Sequence, residues 1–538
     1  MNPEVPGSNP GGSMFVRGRS SVVERESVSP ILVVAVLTLN YNENEIMSKK
    51  IAEEKKLTNA HNWKHLARWN GEGFYELRTE DTRDVPVRMF LTPRLFEDAE
   101  EILYRQIINA TRFPGVKLVV ITPDVHYGYG VPVGCVILTD SIDGAIAMGP
   151  VGYDIGCGMV SAKSDVPVDA ATPERRLEFN REVMKRIDLG AGGKSFKLGT
   201  VGRSEFDNLV HGGAEYYVEK YGATFDRSRA ERHRLPVDDD WQPPIGGRGK
   251  PERGFSQLGS LGGGNHFIEL QRCEETQTLF VQAHTGSRGW GHGLATNYFD
   301  LARAEKPEVI TDLDLGYFTP ESEHYRSYLN AVAAGGNFAI INRLIIFEQV
   351  AEAFESVFGS EMELIYEISH NLVQKEQHPE FGEVWVHRKG ATRAFPAGHP
   401  ALEGTMWEGS GHPVLIPGSN KDWSYVLRPE AGAVKSGYSV NHGAGRRLSR
   451  GEAGRTLNQR VIDDEYAAAG ILVNIDGHVP IDEAAPCYKA SEEVVAAVVG
   501  AGLAKVEYSL WPLASLKGTE GSGGRRRKRS NRKSSPHH

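Results

Sequence analysis

The chain has 538 residues, 40% of them hydrophobic and 24% charged, the balance of a globular protein able to bury a sizeable core. A net charge of −9 excludes a generally polyanion-binding surface, so any nucleic-acid contact must come from a local basic patch. Four scattered cysteines (Cys135, Cys157, Cys273, Cys487) without a C-x-x-C pair argue against a zinc ribbon or a disulfide framework and fit a reducing cytoplasm.

Residues 1–46 open with Pro, Gly, Ser and Asn and show no clear period, so they read as a disordered or mis-assigned leader with Met47 as the expected start. Residues 31–39 are apolar but too few to span a membrane, and no run of 18 or more apolar residues occurs elsewhere. From 47 to 518 the composition is even, which predicts one large domain. Phe96, Ala99, Leu103 and Ile107 predict a helix over 96–108. Residues 117–121 predict a short buried strand entering a loop at 123–126. Residues 224–254, rich in charge, Pro and Gly, predict a surface excursion. Ile341, Leu344, Phe347, Ala351, Phe354 and Phe358 predict a long amphipathic helix closed by Gly359. Residues 364–368, 384–387 and 414–416 read as strands. Helices and strands mix without a regular βαβ period, so the fold class is α+β. The tail 519–538 is disordered by composition, and its Arg/Lys run reads either as an RNA-gripping arm or as a solvated basic tail.

Gly193-Lys194-Ser195 looks like the end of a P-loop, but Asp188 stands where that motif needs glycine. A nucleotide would therefore be held another way. Asp154 and Cys157 lie in a Gly-rich turn, His266 in Gly264-Asn265-His266-Phe267, His284 in His284-Thr285-Gly286-Ser287-Arg288, and His370 in Ser369-His370-Asn371. Carboxylate, thiolate and three imidazoles make a sensible metal set, although spacing alone cannot show that they converge. Asn441-His442-Gly443-Ala444-Gly445-Arg446 suits phosphoryl chemistry: the imidazole is a nucleophile, the glycines admit phosphate, and the guanidinium can pair with it. It also reads as a turn with a structural histidine. Arg388, Lys389 and Arg393 follow an expected strand and either grip phosphates or form an exposed basic turn.

Together these words resemble the RtcB family of RNA ligases. The matching segments are Asp124-Val125-His126-x-Gly128-Tyr129-Gly130, Gly152 to Gly158, Leu261 to Phe267, His284 to Gly289, Ile368 to Asn371, Val386 to Arg393, Val414 to Ser419, His442 to Arg446 and Ser515 to Gly518, in the family's order over roughly residues 85–518. The resemblance implies that Cys157 bridges two Mn²⁺ ions, with Asp154 and His266 completing one and His284 and His370 the other. It implies that His442 takes GMP from GTP, and that the nucleotide lies against Asn265, Glu269, Asn371, Pro417, Gly418, Ser419, Ser424, Gly443, Ala444, Gly445 and Lys517. The implied reaction joins RNA 3′-phosphate or 2′,3′-cyclic phosphate ends to 5′-hydroxyl ends, in RNA repair or tRNA splicing. The resemblance also brings an Archease-like activating partner and a cytoplasmic setting, with no membrane.

Three departures stand out. Tyr127 replaces a usual proline, Asn441 replaces a usual Cys or Ser, and Asn420-Lys421-Asp422-Trp423 replaces a small methionine-containing turn near the expected guanine site. A phosphohydrolase on the same metal site would keep the ligands and form no covalent GMP. A non-catalytic RNA-binding module would tolerate loss of His442.

Overall fold

Runs of Val, Ile, Leu and aromatic residues build two sheets. In the computed structural model, which describes residues 63–223, 225–230 and 234–518, the first sheet has seven strands. Their spatial order is Arg68–Trp69, Tyr75–Leu77, Val87–Met89, Val116–His126, Val133–Asp140, Gly382–Lys389 and Asn371–His378. The second sheet runs Glu363–Ser369, Gly158–Pro167, Thr278–Thr285, Phe267–Cys273, Ala504–Lys517, Ser424–Pro429 and Val414–Ile416, with Leu472–Val473 parallel to Ala504–Lys517. The expected leader (1–46) and basic tail (519–538) lie outside the described residues.

The period of two along a strand sorts side chains into layers. Met159, Phe267 and Phe280 of the second sheet pack with Leu118, Val120, Val136 and Leu138 of the first. Their sequence neighbours Val160, Ile268 and Val281 point the other way, into a helical layer with Phe338, Ile341, Leu344 and Ile345. The result is an α+β stack of sheet, sheet and helices.

The helix expected over 341–358 spans Tyr325–Phe358 and ends at Gly359, whose φ of 72° is the left-handed C-terminal turn glycine allows. It starts earlier than expected because Ala333, Ala334, Gly335 and Gly336 interrupt the large-residue period. Those small residues serve close approach: a Cβ on Gly335 would sit 2.8 Å from the Ile155 side chain, and one on Gly336 would sit 2.4 Å from Leu235. This helix is long and apolar enough to cross a membrane, but 89% of its most apolar window is buried inside the protein.

Other expectations change. The helix over 96–108 is two helices, Pro93–Glu97 and Leu103–Ala110. Thr92 caps the first through its hydroxyl, which accepts from Leu95 N at 3.1 Å, and the turn between them leaves Ile102 exposed. The strand at 117–121 continues through the expected loop to His126, with a register shift after Ile121. The excursion at 224–254 is exposed over most of its described residues but is anchored inward. Leu235, Val237 and Trp241 are buried in the helical core. Its backbone is satisfied by helix asparagines: Asn337 Oδ1 accepts from Leu235 N (2.7 Å), and Asn297 Oδ1 accepts from Gly249 N (2.7 Å). Pro and Gly mark a strap that pairs with side chains instead of a sheet.

The basic turn is also corrected. Arg388, Lys389 and Arg393 are all buried. Arg388 donates twice to Glu376 at 2.6 and 2.9 Å, and Lys389 donates to the carbonyls of Tyr129 and Val131 at 2.7 and 3.1 Å. These cations hold the fold and not a phosphate. Arg388→Met should strip the buried Glu376 carboxylate of both its Arg388 hydrogen bonds, at a cost of about 3–5 kcal/mol. Denaturant unfolding should register that loss, and a cost under about 1 kcal/mol would contradict a closed buried pair.

Candidate active site

Four strand ends meet at one edge of the second sheet. Cys157 precedes the strand Gly158–Pro167, His266 precedes Phe267–Cys273, and His284 is the penultimate residue of Thr278–Thr285. His370 sits where the chain leaves Glu363–Ser369 for Asn371–His378, crossing from the second sheet to the first. Strand register aligns them: Phe267 and Met159 both pair with His284, and Gly158 pairs with Thr285 and Ser369. A Cβ at Gly158 would lie 2.2 Å from the Ile368 carbonyl oxygen, so only glycine lets Cys157 enter this crossing.

The five expected ligands converge. Cys157 Sγ lies 3.2 Å from His284 Nε2 and 3.5 Å from His266 Nε2. Asp154 Oδ2 is 3.1 Å from His266 Nε2, and His284 Nε2 is 3.2 Å from His370 Nε2. The ligand atoms of Cys157, His266 and His284 lie within 4.8 Å of one another. The Asn265 carbonyl can only accept, so at 3.1 Å it fixes the proton of His284 on Nδ1 and leaves Nε2 as a lone pair.

Electrostatics favour a cation here. Burial, followed by the positive charge of neighbouring histidines, pushes His284 and His370 well below their ordinary range, so both are neutral at neutral pH. Burial, then Asp154, pushes the Cys157 thiol well above its usual range. Burial opposes the charge of Asp154, but His266 and Arg288 hold its carboxyl below the ordinary carboxylate range. Nitrogen, sulfur and oxygen donors are thus gathered at one buried spot. A divalent metal ion fits this donor set.

Beneath the cluster lies Arg343, from the long helix Tyr325–Phe358. Its Nε donates to Glu367 Oε1 at 2.5 Å. Its Nη1 donates to the carbonyls of Gly156 (2.6 Å) and Thr285 (2.9 Å), and its Nη2 donates to Ser369 Oγ (2.7 Å). Those three residues adjoin Cys157, His284 and His370.

His442 follows the strand Ser439–Asn441. Its Nδ1–H donates to Asp124 Oδ2 at 2.6 Å, and its backbone N–H reaches the same oxygen at 3.1 Å. Asp124 is fully buried, and Thr122 donates to its other oxygen at 2.6 Å. Burial works against the Asp124 charge, yet His442 holds its carboxyl below the ordinary range. Nε2 of His442 therefore keeps its lone pair. The ring lies 4.8 Å from that of His370, centroid to centroid, which brings this imidazole to the ligand cluster. Gly445 (φ 79°) is required behind it, since a Cβ there would lie 2.0 Å from the Asp124 carbonyl oxygen.

Some of the expected nucleotide residues adjoin His442. The turn Pro417–Ser419 adjoins Gly443, where a Cβ would lie 3.3 Å from the Pro417 carbonyl oxygen, and Ala444 and Gly445 continue from it. Glu269 and Lys517 lie on adjacent strands, Phe267–Cys273 and Ala504–Lys517. Burial raises the Glu269 carboxyl to about 7. Lys517 Nζ donates to Glu483, which also receives Arg446 and Tyr488. Ser424 Oγ accepts from Gly418 N at 3.0 Å, while the Asn265 side chain is exposed. Asn371 spends its side chain on the protein: Nδ2 donates to the Asp154 carbonyl (3.1 Å) and Oδ1 accepts from Gly390 N (2.8 Å). Asn420 Nδ2 and Asn441 Oδ1, beside Ser419 and His442, are buried and have no partner among the described residues. Such orphans suit a polar ligand at this turn.

A family model described as tRNA-splicing ligase RtcB matches residues 106–518. The chain belongs to the RtcB family. It is 34% identical over 467 residues to the tRNA-splicing ligase RtcB of Methanococcus maripaludis, covering 82% of this chain and 96% of that protein. It is 35% identical over 442 residues to the RNA-splicing ligase RtcB of Mycobacterium tuberculosis, covering 77% and 100%.

Within this RtcB-family chain the departures find local partners. Asn441 Nδ2 donates to the Gly443 carbonyl at 2.7 Å and so shapes the nucleophile's turn. Asn420 Oδ1 accepts from Tyr466, Lys421 pairs with Glu465, and Asp422 accepts from Ser491 N. Sequence reading assigned no role to Asp124, Arg343 or Glu483. Only Asp124 carried a signal, as the acid in the Asp124-Val125-His126 word. The donor set predicts that the purified protein retains a divalent transition ion. Cys157→Ala should lower metal content per chain after dialysis, and unchanged content by elemental analysis would remove Cys157 from the ligand set.

Proposed function

We propose that this chain is an RNA ligase that joins 3′-phosphate or 2′,3′-cyclic phosphate ends to 5′-hydroxyl ends, using GTP and two Mn²⁺ ions through a guanylylated His442. The observation that carries the reading is the Asp124–His442 pair facing the ligand cluster. A hydrolytic metal site alone has no use for a nucleophilic imidazole oriented by a buried carboxylate.

Asp154 and His266 would hold one ion and His284 and His370 the other, with Cys157 between. When bound, the ions would neutralise phosphate charge and lower the pKa of an attacking hydroxyl. A set of Cys and His alone leans towards zinc by softness, so manganese enters through the family resemblance. His442 attacks the α-phosphorus of GTP: an Nε2–P bond forms and the bond to pyrophosphate breaks. Asp124 keeps the Nδ1 proton and stabilises the positive charge the ring gains. The family's glycines at 443 and 445 let the phosphate approach the backbone. A 2′,3′-cyclic end is first opened by water to a 3′-phosphate. An oxygen of that phosphate then takes GMP from His442. The capped phosphate now has a stabilised leaving group in place of oxide. The 5′-hydroxyl attacks it, loses its proton and releases GMP. The buried, free cysteines fit a cytoplasmic setting. An Archease-like protein would act as activator.

The test is incubation with α-labelled GTP and Mn²⁺. Acid-labile label should appear on the wild type and be absent from His442→Ala. Asp124→Asn should slow labelling by roughly 10²–10⁴-fold, as expected when the orienting carboxylate is lost. Chelation should abolish labelling and added Mn²⁺ restore it. A fully metallated wild type that hydrolyses cyclic phosphate without taking label would replace the ligase with a phosphohydrolase.

A further inference from the structure

Tyr127 and Tyr129 are 54% and 48% exposed, although they flank the segment that holds His442. Tyr127 stands three positions after Asp124, which limits their Cα atoms to within about 11 Å. Tyr129 sets its ring edge-on to Tyr153, with centroids 6.3 Å apart, and Tyr153 precedes the ligand-set residue Asp154. Tyr153 in turn stacks on His292 at 5.4 Å. One exposed tyrosine is thus tied by the chain to the Asp124–His442 pair and the other by ring contact to the residue before Asp154.

The loop that carries them is fixed. Gln106 Oε1 accepts from Gly128 N at 3.0 Å, while its Nε2 donates to the Gly128 carbonyl at 2.5 Å. Asn109 donates to the Gly130 carbonyl at 2.8 Å, and Lys389 holds the carbonyls of Tyr129 and Val131. Five side-chain hydrogen bonds to four consecutive residues are a heavy commitment for a loop whose rings face outward. Holding rings in place lowers the ordering cost of whatever stacks on them.

The two lysines bound to this stretch of chain are already engaged. Lys389 and Lys489 both turn their ammonium groups onto backbone carbonyls, Lys489 onto those of Pro123 and Val125. The chain as a whole carries a net −9. Aromatic faces can hold single-stranded bases without cations and without sequence preference.

We propose that Tyr127 and Tyr129 form a stacking platform for the terminal bases of a single-stranded RNA end entering the site. The proposal rests on the RNA-ligase reading for its ligand class. Tyr127 occupies a position where the family usually has proline.

The test measures binding of the full chain to a fluorescent single-stranded RNA with a 3′-phosphate, and to one with a 5′-hydroxyl, by anisotropy. Steady-state ligation is followed in parallel. Tyr127→Ala and Tyr129→Ala should each weaken binding of at least one strand, and raise its KM, by roughly tenfold, the scale of one lost base stack. Tyr127→Phe, which keeps the ring, should bind like wild type. Binding of both strands by Tyr127→Ala at wild-type strength would overturn the platform, as would Tyr127→Phe failing as badly as Tyr127→Ala. So would a Tyr127→Ala melting midpoint that falls along with RNA affinity, since that assigns the ring to folding. The two readings fail separately: a wild type that binds RNA through Tyr127 but never ligates sinks the ligase and keeps the platform. A wild type that ligates with a KM indifferent to Tyr127 does the reverse.

Discussion

The active site depends on one buried ion pair. Arg343 and Glu367 both have fully buried side chains, and removing two charges from water costs several kcal/mol per ion. The cost is offset because the guanidinium also satisfies the Gly156 and Thr285 carbonyls and the Ser369 hydroxyl. Each is one residue from an expected ligand. The planar fork therefore measures the spacing of three chain segments that no local sequence relation connects. Lysine has neither the reach in three directions nor the fixed angles to replace it.

The pair can sit there only because the helix that bears it comes close to the sheet edge. Gly335, Gly336 and Gly156 make that approach possible; a Cβ on Gly156 would lie 2.9 Å from Gly336 Cα. Helix asparagines then do for the loops what strands do for one another. Asn342 accepts from Gly259 N and donates to the Gly286 carbonyl, while Asn337 serves both backbone groups of Leu235. The site is built from loops, but their backbone hydrogen bonds end on a buried helix, which fixes where the ligand-set residues stand.

What the sequence revealed follows from this arrangement. The strands at 364–368, 384–387 and 414–416 were legible because they are apolar runs bounded by turns. So was the second half of the long helix, where large residues recur every three or four positions. The ligand candidates stood out by residue type, although only the crossing of strand ends brings Asp154 near His370. The errors share a cause: polarity was read as exposure. Arg388 and Arg393 look solvated in a sequence, yet Glu376 and Gln374 meet them inside. The strap over 235–249 looks like a surface loop, yet asparagines far along the chain satisfy its backbone. Arg343 gave no signal, because an arginine among Ile, Asn and Leu in a helix does not announce a buried partner twenty-four residues later. Asp124 looked like a turn acid until His442 was found against it.

The same burial that organises the site leaves it electrostatically incomplete. It drives His284 and His370 to their neutral forms and keeps the proton on Cys157. Cys157 Sγ and His370 Nε2 each lie 3.2 Å from His284 Nε2, so one lone pair faces two neighbouring donor atoms in a desolvated pocket. A multivalent cation would accept the lone pairs of this set together and stabilise the thiolate that burial alone forbids. His442 lies outside that demand. Its Nδ1 proton belongs to Asp124, so a charge introduced at the cluster leaves its Nε2 lone pair in place. The fold thus separates the expected metal donors from an imidazole oriented by its own buried carboxylate, although the rings of His370 and His442 lie within 5 Å.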